Sequence, residues 1–144
     1  MSGTSADVAD TADTGIPLPV VTELSRPYWD GLAAGEIRFQ RCDDCRHAWL
    51  PPREECPACL SDRWSWAASS GSGRVISWVV YRHSVHPAFA DRVPYNVAVV
   101  ELDEGPRLIT TIDSLEDELA IEQPVHLVPW VERGVHLARF ALTT

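Results

Sequence analysis

The sequence lacks lysine altogether and has no apolar run near the roughly 18 to 20 residues that a bilayer-spanning helix requires. A membrane span is therefore excluded. The twelve cations are all arginine, against 21 acidic residues, and we interpret the missing lysine as genomic composition. Residues 1–15 carry three aspartates, no arginine and no apolar run, so they do not predict a secretory signal. We expect the protein in the cytoplasm.

No segment of the chain has an excess of positive charge. The net charge is −9, and the nine arginines between residues 38 and 107 are balanced by nine acids. A protein whose main partner is a nucleic-acid backbone normally carries an excess of basic residues, because phosphate neutralisation supplies most of the affinity. The charge therefore counts against a nucleic-acid partner, although a local arginine cluster formed by folding stays open.

Recognisable catalytic motifs are absent as well. The sequence has no G-x-S-x-G, no phosphate-binding loop, no dinucleotide glycine pattern and no H-E-x-x-H. His126 and His136 fall in predicted strands, where a surface or hydrogen-bonded imidazole is the usual role. His83 and His86 share a loop and are the one pair that we single out, since loops on a rigid scaffold often carry function. We expect no acyl chemistry by this chain alone.

The 144 residues suffice for one domain with a core and a small second module. Residues 1–22 are predicted to be a disordered or extended tail, since 1–15 are small and acidic and 16–22 add two prolines among apolar residues. An N-terminal helix segment is predicted over 23–37, a zinc ribbon over 38–66 and a β-barrel over 67–144.

The helix itself is predicted from Arg26 to Ala34. Ser25 is expected to cap its amino end, Pro27 suits the first turn, and Gly35 stands where a left-handed carboxyl end is favoured. Its aromatic stripe, formed by Tyr28 and Trp29 with Leu32 and Ala33, is typical either of core packing or of a docking face for another protein.

Strand signals dominate from Gly73 onward. Five short segments rich in β-branched and aromatic residues alternate with turn signals. They span Val75–Tyr81, Tyr95–Leu102, Arg107–Ile112, Val125–Val131 and Val135–Leu142. Pro129 predicts an edge or bulge in the fourth, and Ser114–Asp117 predicts one or two helical turns with Leu115 and Leu119 facing inward. The fold class is therefore mainly β, with a five-stranded OB-type Greek-key barrel.

All four cysteines form one pattern, Cys42-x2-Cys45 followed by Cys56-x2-Cys59. Two such knuckles place four thiolates around one ion at zinc-ligand spacing. Two disulfides, redox chemistry and rubredoxin-type iron are the alternatives, and disulfides are disfavoured in a cytoplasmic chain. Arg46 and Leu60 follow the two pairs where glycine is common, so a left-handed backbone there would be strained.

The role of the metal follows from its ligands. Four protein thiolates leave no open coordination position, so such a zinc activates no water and polarises no carbonyl. We therefore predict one structural zinc per chain, which stabilises a ribbon too small to fold around its own core. The same assignment leaves no cysteine as a nucleophile.

In this order the motifs resemble a family of proteins in which a rubredoxin-like zinc ribbon precedes an acyl-CoA-associated OB-fold, long catalogued as a domain of unknown function. The motifs are PYWDGLAAGEI (27–37), FQRCDDC (39–45), LPPR (50–53), CPAC (56–59), SGSGRV (70–75) and VPYNVAVVELDEGPRL (93–108). The departures are the missing glycines after the knuckles and the acidic front tail.

The resemblance implies a non-catalytic accessory subunit of a thiolase-fold enzyme, such as a sterol-carrier-type thiolase or an aldolase of steroid side-chain degradation. The partner would supply the chemistry, and this chain would supply a docking surface and part of the acyl-CoA site. Arg53, Arg74 and Arg107 belong to the shared motifs and are the candidates for binding the CoA diphosphate, since arginine forms bidentate hydrogen bonds with phosphate.

Two further interpretations stay open. A zinc ribbon joined to an OB barrel is common in single-stranded nucleic-acid binders, where aromatic side chains stack on bases. A free-standing acyl-CoA-binding protein without a partner is the third. The acyl group, the exact partner and the stoichiometry do not follow from the sequence.

Overall fold

The computed structural model describes residues 17–84, 86–114 and 116–143. The predicted disordered segment 1–15 and Leu115 lie outside these residues. Within them the chain forms one helix, α1 (Arg26–Ala33), and strands β1 (Arg38–Cys42), β2 (Ala48–Trp49), β3 (Trp64–Ala68), β4 (Ser72–Tyr81), β5 (Tyr95–Leu102), β6 (Arg107–Thr110), β7 (Ile112–Asp113), β8 (Pro124–Val128), β9 (Val131–Glu132), β10 (Val135–His136) and β11 (Arg139–Leu142). No helix in the described ranges is long and apolar enough to cross a membrane.

Helix α1 begins and ends close to the predicted bounds, but its amino end is stabilised differently from the prediction. The Ser25 side chain makes no capping hydrogen bond, so that prediction is wrong. Thr22 and Ser25 instead form a reciprocal pair, in which the Ser25 N–H donates to Thr22 Oγ1 (3.1 Å) and the Thr22 N–H donates to Ser25 Oγ (2.9 Å). This reciprocal arrangement is a capping box that begins at Thr22, three residues before the predicted cap at Ser25. Gly35 has the expected left-handed backbone, with φ of 89°.

The zinc ribbon is a three-stranded antiparallel sheet in the order β2-β1-β3. Trp49 packs with the buried Cys42 and Cys56, and Trp64 covers this small cluster. The ribbon therefore has only a minimal apolar core, as expected for a unit that depends on a metal.

The barrel is a six-stranded sheet in the order β6-β5-β4-β8-β11-β7. Strands β6 and β7 are consecutive in the chain but pair with different neighbours, β6 with β5 and β7 in parallel with β11. The sheet is therefore closed by one bent strand, and the predicted OB-type barrel is confirmed. The Asn96 side chain supports the closure by hydrogen bonds of 2.8 Å to both the N–H and the C=O of Ile112.

The second predicted strand coincides with β5, and the last three are each interrupted. The third breaks at Thr111, where the chain changes strand partners. The fourth ends at Val128, directly before Pro129, where the sequence predicted an edge or a bulge within one strand. The fifth breaks after His136, because β9 and β10 form a separate hairpin whose turn residues, Arg133 and Gly134, both have positive φ. The predicted helical turns reduce to one 3-10 turn, Glu116–Glu118, with Leu119 buried behind it.

One hydrophobic core joins the helix segment to the barrel. Leu32 and Ile37 are buried in the same cluster as Val75, Val100 and Phe140. Tyr28 and Trp29 pack against this cluster while staying only partly buried. The aromatic residues of the stripe therefore pack on the core with one side and remain accessible to solvent with the other. The division into units at residues 37 and 66 stays a prediction.

Candidate functional site

The four cysteine sulfurs form one cluster in which all Sγ atoms lie within 4.8 Å of one another. Cys42 Sγ and Cys59 Sγ are 3.6 Å apart, and so are Cys45 Sγ and Cys56 Sγ. A tetrahedral zinc with bonds of about 2.3 Å requires sulfur–sulfur separations of about 3.8 Å. The four cysteines are thus positioned as the ligands of a zinc ribbon, with each short contact joining the two knuckles.

The two knuckles have matching backbone geometry. The N–H groups of Arg46 and Leu60 donate to the carbonyls of Cys42 and Cys56, at 3.1 and 2.8 Å. Arg46 and Leu60 adopt φ of 70° and 66°, so both knuckles contain the left-handed residue that would be strained without glycine. Backbone strain of this kind is tolerated where the surrounding structure fixes it.

Backbone N–H groups also prepare the sulfurs to bind a cation. The Cys45 N–H, 3.4 Å from Cys42 Sγ, is the main cause that lowers the pKa of Cys42 to about 7. The Ser61 backbone lowers the pKa of Cys59, but burial and the neighbouring sulfurs outweigh it and raise that pKa to about 12. One thiolate is therefore favoured and further thiolates are opposed, until a divalent cation compensates their charge.

An apolar groove of about 540 Å³ lies between α1 and the outside of the barrel. Its walls come from the 17–25 segment, α1, the 50–52 segment and strands β5 and β6, through Val20, Ser25, Tyr28, Trp29, Leu50, Pro51, Pro52, Val99, Arg107, Leu108 and Ile109. Burial raises the pKa of Tyr28 to about 12, so its hydroxyl keeps its proton and can donate a hydrogen bond. The groove suits an apolar group with few polar contacts.

A second cavity of about 340 Å³ lies where the ribbon meets the barrel. We call it the junction cavity, and it is lined by His47, Ala48, Trp49, Leu50, Arg53, Pro57, Gly105, Pro106 and Arg107. Leu50 and Arg107 line both the groove and the junction cavity. The two spaces are therefore adjacent, with an apolar groove on one side of these residues and a cavity lined by Arg53 and Arg107 on the other.

The three arginines singled out from the sequence do not share one position. Arg53 and Arg107 both line the junction cavity, whereas Arg74 lines neither space. Arg53 is exposed, and no acidic side chain among the described residues forms a salt bridge with it. Arg107 Nε donates to Glu101 at 2.9 Å, and Arg74 binds both Glu101 (2.6 Å) and Glu122.

Two of the histidines, His86 and His126, make hydrogen bonds within the fold. His86 Nδ1 accepts from the Ala88 N–H at 3.0 Å and so caps the 3-10 turn Pro87–Phe89. His126 Nδ1 lies 2.9 Å from Thr143 Oγ1 at the surface. His47, which the sequence did not single out, lines the junction cavity and stacks on Trp49 at 6.2 Å between ring centroids. The only sequence feature that could have singled out His47 is its position directly before β2, next to the first knuckle.

Both parts of the chain match models of a known family. Residues 29–65 match the model described as "ChsH2, rubredoxin-like zinc ribbon domain". Residues 66–129 match the model described as "ChsH2, C-terminal OB-fold domain".

Curated relatives carry names of two kinds. The chain is 35% identical over 122 residues to a probable enoyl-CoA hydratase alpha subunit of Thermomonospora curvata, covering 84% of this chain and 37% of that protein. It is 33% identical over 131 residues to the 3-oxo-4,17-pregnadiene-20-carboxyl-CoA hydratase alpha subunit of Mycobacterium tuberculosis, covering 86% and 40%. The chain thus spans less than half the length of these two relatives. It is 34% identical over 111 residues to a DUF35 domain-containing scaffold protein of Methanothermobacter thermautotrophicus, covering 76% and 83%.

Solved structures share the whole arrangement. A chain of the Ltp2-ChsH2(DUF35) aldolase superposes with a TM-score of 0.77 at 32% identity, covering 88% of this chain and 100% of that one. A DUF35 protein of Sulfolobus solfataricus has the same fold, with a TM-score of 0.62 at 13% identity and 97% coverage of both chains. The chain therefore belongs to the DUF35 family, in which a rubredoxin-like zinc ribbon precedes a ChsH2-type OB-fold domain.

Proposed function

We propose that this protein is a non-catalytic accessory subunit that binds a thiolase-fold enzyme and holds part of its acyl-CoA substrate. The observation that carries the proposal is the apolar groove next to the junction cavity, which is lined by Arg53 and Arg107. A CoA thioester has the same two-part chemistry, with an apolar acyl end and a phosphate-rich end. The relatives named as CoA hydratase alpha subunits, as scaffolds and as part of an aldolase support a role within an enzyme complex.

Two arginines are proposed to bind the diphosphate in the junction cavity. Arg53 lines the junction cavity, and its guanidinium forms no salt bridge with any described residue. Arg107 lies between the junction cavity and the groove. Arg74, the third candidate, is proposed to act indirectly. It holds Glu101 from one side while Arg107 holds it from the other, so Arg74 fixes the carboxylate that orients Arg107. We propose steroid-derived or other lipid acyl groups as the substrate class, handled by a sterol-carrier-type thiolase or an aldolase.

The metal site is proposed to be structural. Cys42, Cys45, Cys56 and Cys59 would hold one Zn²⁺, which cross-links the two knuckles and supplies no open coordination position. With all four thiols used as ligands, no cysteine is left as an acyl-accepting nucleophile. The partner enzyme then provides the nucleophile and the base.

The test is to co-express the chain with its genomic-neighbour thiolase-fold enzyme and to titrate the purified chain with acyl-CoA by calorimetry. We expect one zinc per chain, co-purification with the enzyme and saturable acyl-CoA binding. An enzyme that is soluble and fully active alone, without association, would overturn the proposal. Saturable binding by the chain without any enzyme association would favour the free-standing acyl-CoA-binding protein.

OB barrels bind oligonucleotides on their second and third strands and the adjoining loops. These strands correspond to β5 and to β6 with β7 in this protein, and the nucleic-acid alternative finds little support there. The cavity there, of about 470 Å³, contains Arg92 and Arg139. Glu132 holds Arg92 by two hydrogen bonds of 2.9 Å, and the Arg139 guanidinium stacks 3.9 Å from the Trp130 ring. This cavity therefore has no cation comparable to Arg53, which is exposed and forms no salt bridge among the described residues.

A further inference from the structure

The outer face of strands β4, β5 and β6 is an apolar surface. The register places Val79 opposite Val97, Tyr81 opposite Tyr95, and Val99 opposite Ile109, and these side chains point away from the barrel core. We call this set of six residues the outer face. The Glu101–Arg107 pair lies at one end of the outer face. At the other end, Tyr95 lines a cavity together with Arg92 and Arg139.

Several side chains of the outer face are strongly exposed. Ile109 is 75% accessible, Val79 54% and Tyr81 37%. Single exposed apolar residues are ordinary, but neighbouring ones on adjacent strands typically mark an interaction surface. The Tyr81 and Tyr95 rings, 5.4 Å apart, add the rigid aromatic area that is enriched at the centre of interfaces.

The outer face and the groove share residues. Val99 and Ile109 belong to the outer face and also line the groove. Val20, which also lines the groove, is 84% accessible, so the groove is open to solvent beside it. A protein that covers the outer face therefore also covers the part of the groove formed by Val99 and Ile109.

A second copy of this chain carries the same net charge of −9, and like charges oppose self-association. The outer face shares Val99 and Ile109 with the groove that is proposed to hold the acyl chain. Because the proposed thiolase-fold enzyme must approach that acyl chain, we take this enzyme as the occupant of the outer face.

We propose that the acyl chain and the enzyme stabilise each other's binding to this protein, because the docked enzyme encloses the acyl chain between its own surface and Val99 and Ile109. This inference rests on the proposed function and adds that assembly depends on the ligand. By linkage, the factor by which acyl-CoA strengthens enzyme binding equals the factor by which the enzyme strengthens acyl-CoA binding. Each fully enclosed methylene contributes at most about a fourfold gain.

The experiment measures the Kd between the chain and its genomic-neighbour thiolase-fold enzyme in the presence of CoA or of unreactive thioether analogues of acetyl-CoA and octanoyl-CoA. We expect enzyme affinity to rise with acyl length, by about tenfold or more from CoA to the octanoyl analogue. We also expect the enzyme to raise the affinity of the chain for the octanoyl analogue by the same factor. Equal enzyme affinity with all three ligands overturns the inference.

Variants separate the two surfaces. Val79→Asp, which lies on the outer face but does not line the groove, should weaken enzyme binding about tenfold and leave octanoyl-analogue binding by the isolated chain within about twofold. Ile109→Asp should weaken both. Ile121→Asp, at an apolar residue that is 56% accessible and on neither surface, is the matched control and should change neither.

The possible failures are distinguishable. If enzyme and ligand both bind but without coupling, the proposed function stands and this inference is wrong. If neither binds, both are wrong. If sedimentation shows that the chain alone dimerises and that Val79→Asp dissolves the dimer, the outer face is occupied by a second copy, and the enzyme is the wrong occupant.

Discussion

The side-chain amide of Gln40 forms two hydrogen bonds with the backbone of Arg53. Gln40 Nε2 donates to the Arg53 carbonyl at 2.7 Å, and the Arg53 N–H donates to Gln40 Oε1 at 2.8 Å. Gln40 is fully buried, so neither of its polar groups has water as an alternative partner. The pair anchors the 50–53 segment to β1, and this segment contributes residues to both the groove and the junction cavity.

Replacing Gln40 by leucine should lower the free energy of unfolding by about 2 kcal/mol, because two hydrogen bonds are lost and the Arg53 backbone groups lose their partners. Denaturant unfolding with unchanged zinc content is the measurement. Gln123→Leu is the control, since Gln123 makes an exposed hydrogen bond with the Ala120 N–H and its loss should cost well under about 1 kcal/mol. An equal effect of both variants would contradict the anchoring role of Gln40.

Metal removal should unfold the ribbon and leave the barrel folded, because the ribbon core comprises little more than Cys42, Trp49, Cys56 and Trp64. A strong chelator should expose the amides of β1 to hydrogen exchange and change the tryptophan fluorescence, while β5 amides stay protected. Cys56→Ser should reproduce this state without chelator. Loss of protection in β5 to the same extent would show that ribbon and barrel unfold as one unit.

Glu104 should make stability depend on pH through its contact with the segment that joins ribbon and barrel. Burial raises the pKa of this carboxyl, but hydrogen bonds from the Ser70 N–H (2.8 Å) and Ser69 Oγ (2.7 Å) outweigh it, and the pKa is lowered. A lowered folded-state pKa stabilises the protein above the unfolded value of about 4.3, and the stabilisation is lost as pH falls through the folded value.

Glu104→Gln should therefore cost about 1 kcal/mol at pH 7, and the difference from wild type should shrink as the pH falls below about 4. Unfolding curves at pH 7, 5 and 3.5 provide the measurement. A difference that stays constant across this range would mean that the carboxylate charge contributes nothing.

Arg53→Gln should weaken CoA binding by about fivefold to twentyfold without changing stability, since the side chain is exposed and has no acidic partner among the described residues. Calorimetric titration with CoA is the measurement. Arg46→Gln, at an exposed arginine beside the first knuckle and outside the junction cavity, is the matched control. Equal losses in the two variants would indicate a nonspecific charge effect.

Binding to single-stranded nucleic acid should be absent at about 150 mM salt, because the net charge is −9 and Arg92 is already held by Glu132. Fluorescence anisotropy with labelled oligo(dT) tests this. Saturable binding whose affinity falls steeply between 50 and about 200 mM salt would support the nucleic-acid alternative instead.

The sequence predicted those features that depend on local patterns. The four-cysteine spacing, the position of α1 and the bounds of Tyr95–Leu102 follow from motif and periodicity, and the structure agrees with them. The cap by Ser25 failed because Thr22, three residues earlier, provides a competing hydrogen-bond partner. The break at Thr111 could not be predicted, since a strand that changes partners has no distinctive composition.

The candidate site was only partly predictable, because its walls are distant in sequence. Trp29, Leu50 and Ile109 meet in one groove only after the ribbon and the barrel are packed together. The motif resemblance proposed Arg53, Arg74 and Arg107 together as CoA-binding residues, and this stays a prediction. Their positions follow only from the structure, in which Arg53 and Arg107 line the junction cavity and Arg74 is held by Glu101 and Glu122 outside it. No sequence feature beyond its position in β1 indicated that Gln40 anchors the 50–53 segment.

The 50–53 segment belongs to the ribbon along the chain, yet it forms a wall of the groove that faces the barrel. If the ribbon loses its metal, this wall is lost while the barrel and its outer face persist. Under the proposed function, a chain without its metal would keep the surface that binds the enzyme and lack one wall of the site that holds the ligand. The zinc would then be needed for ligand binding even though it contacts no ligand.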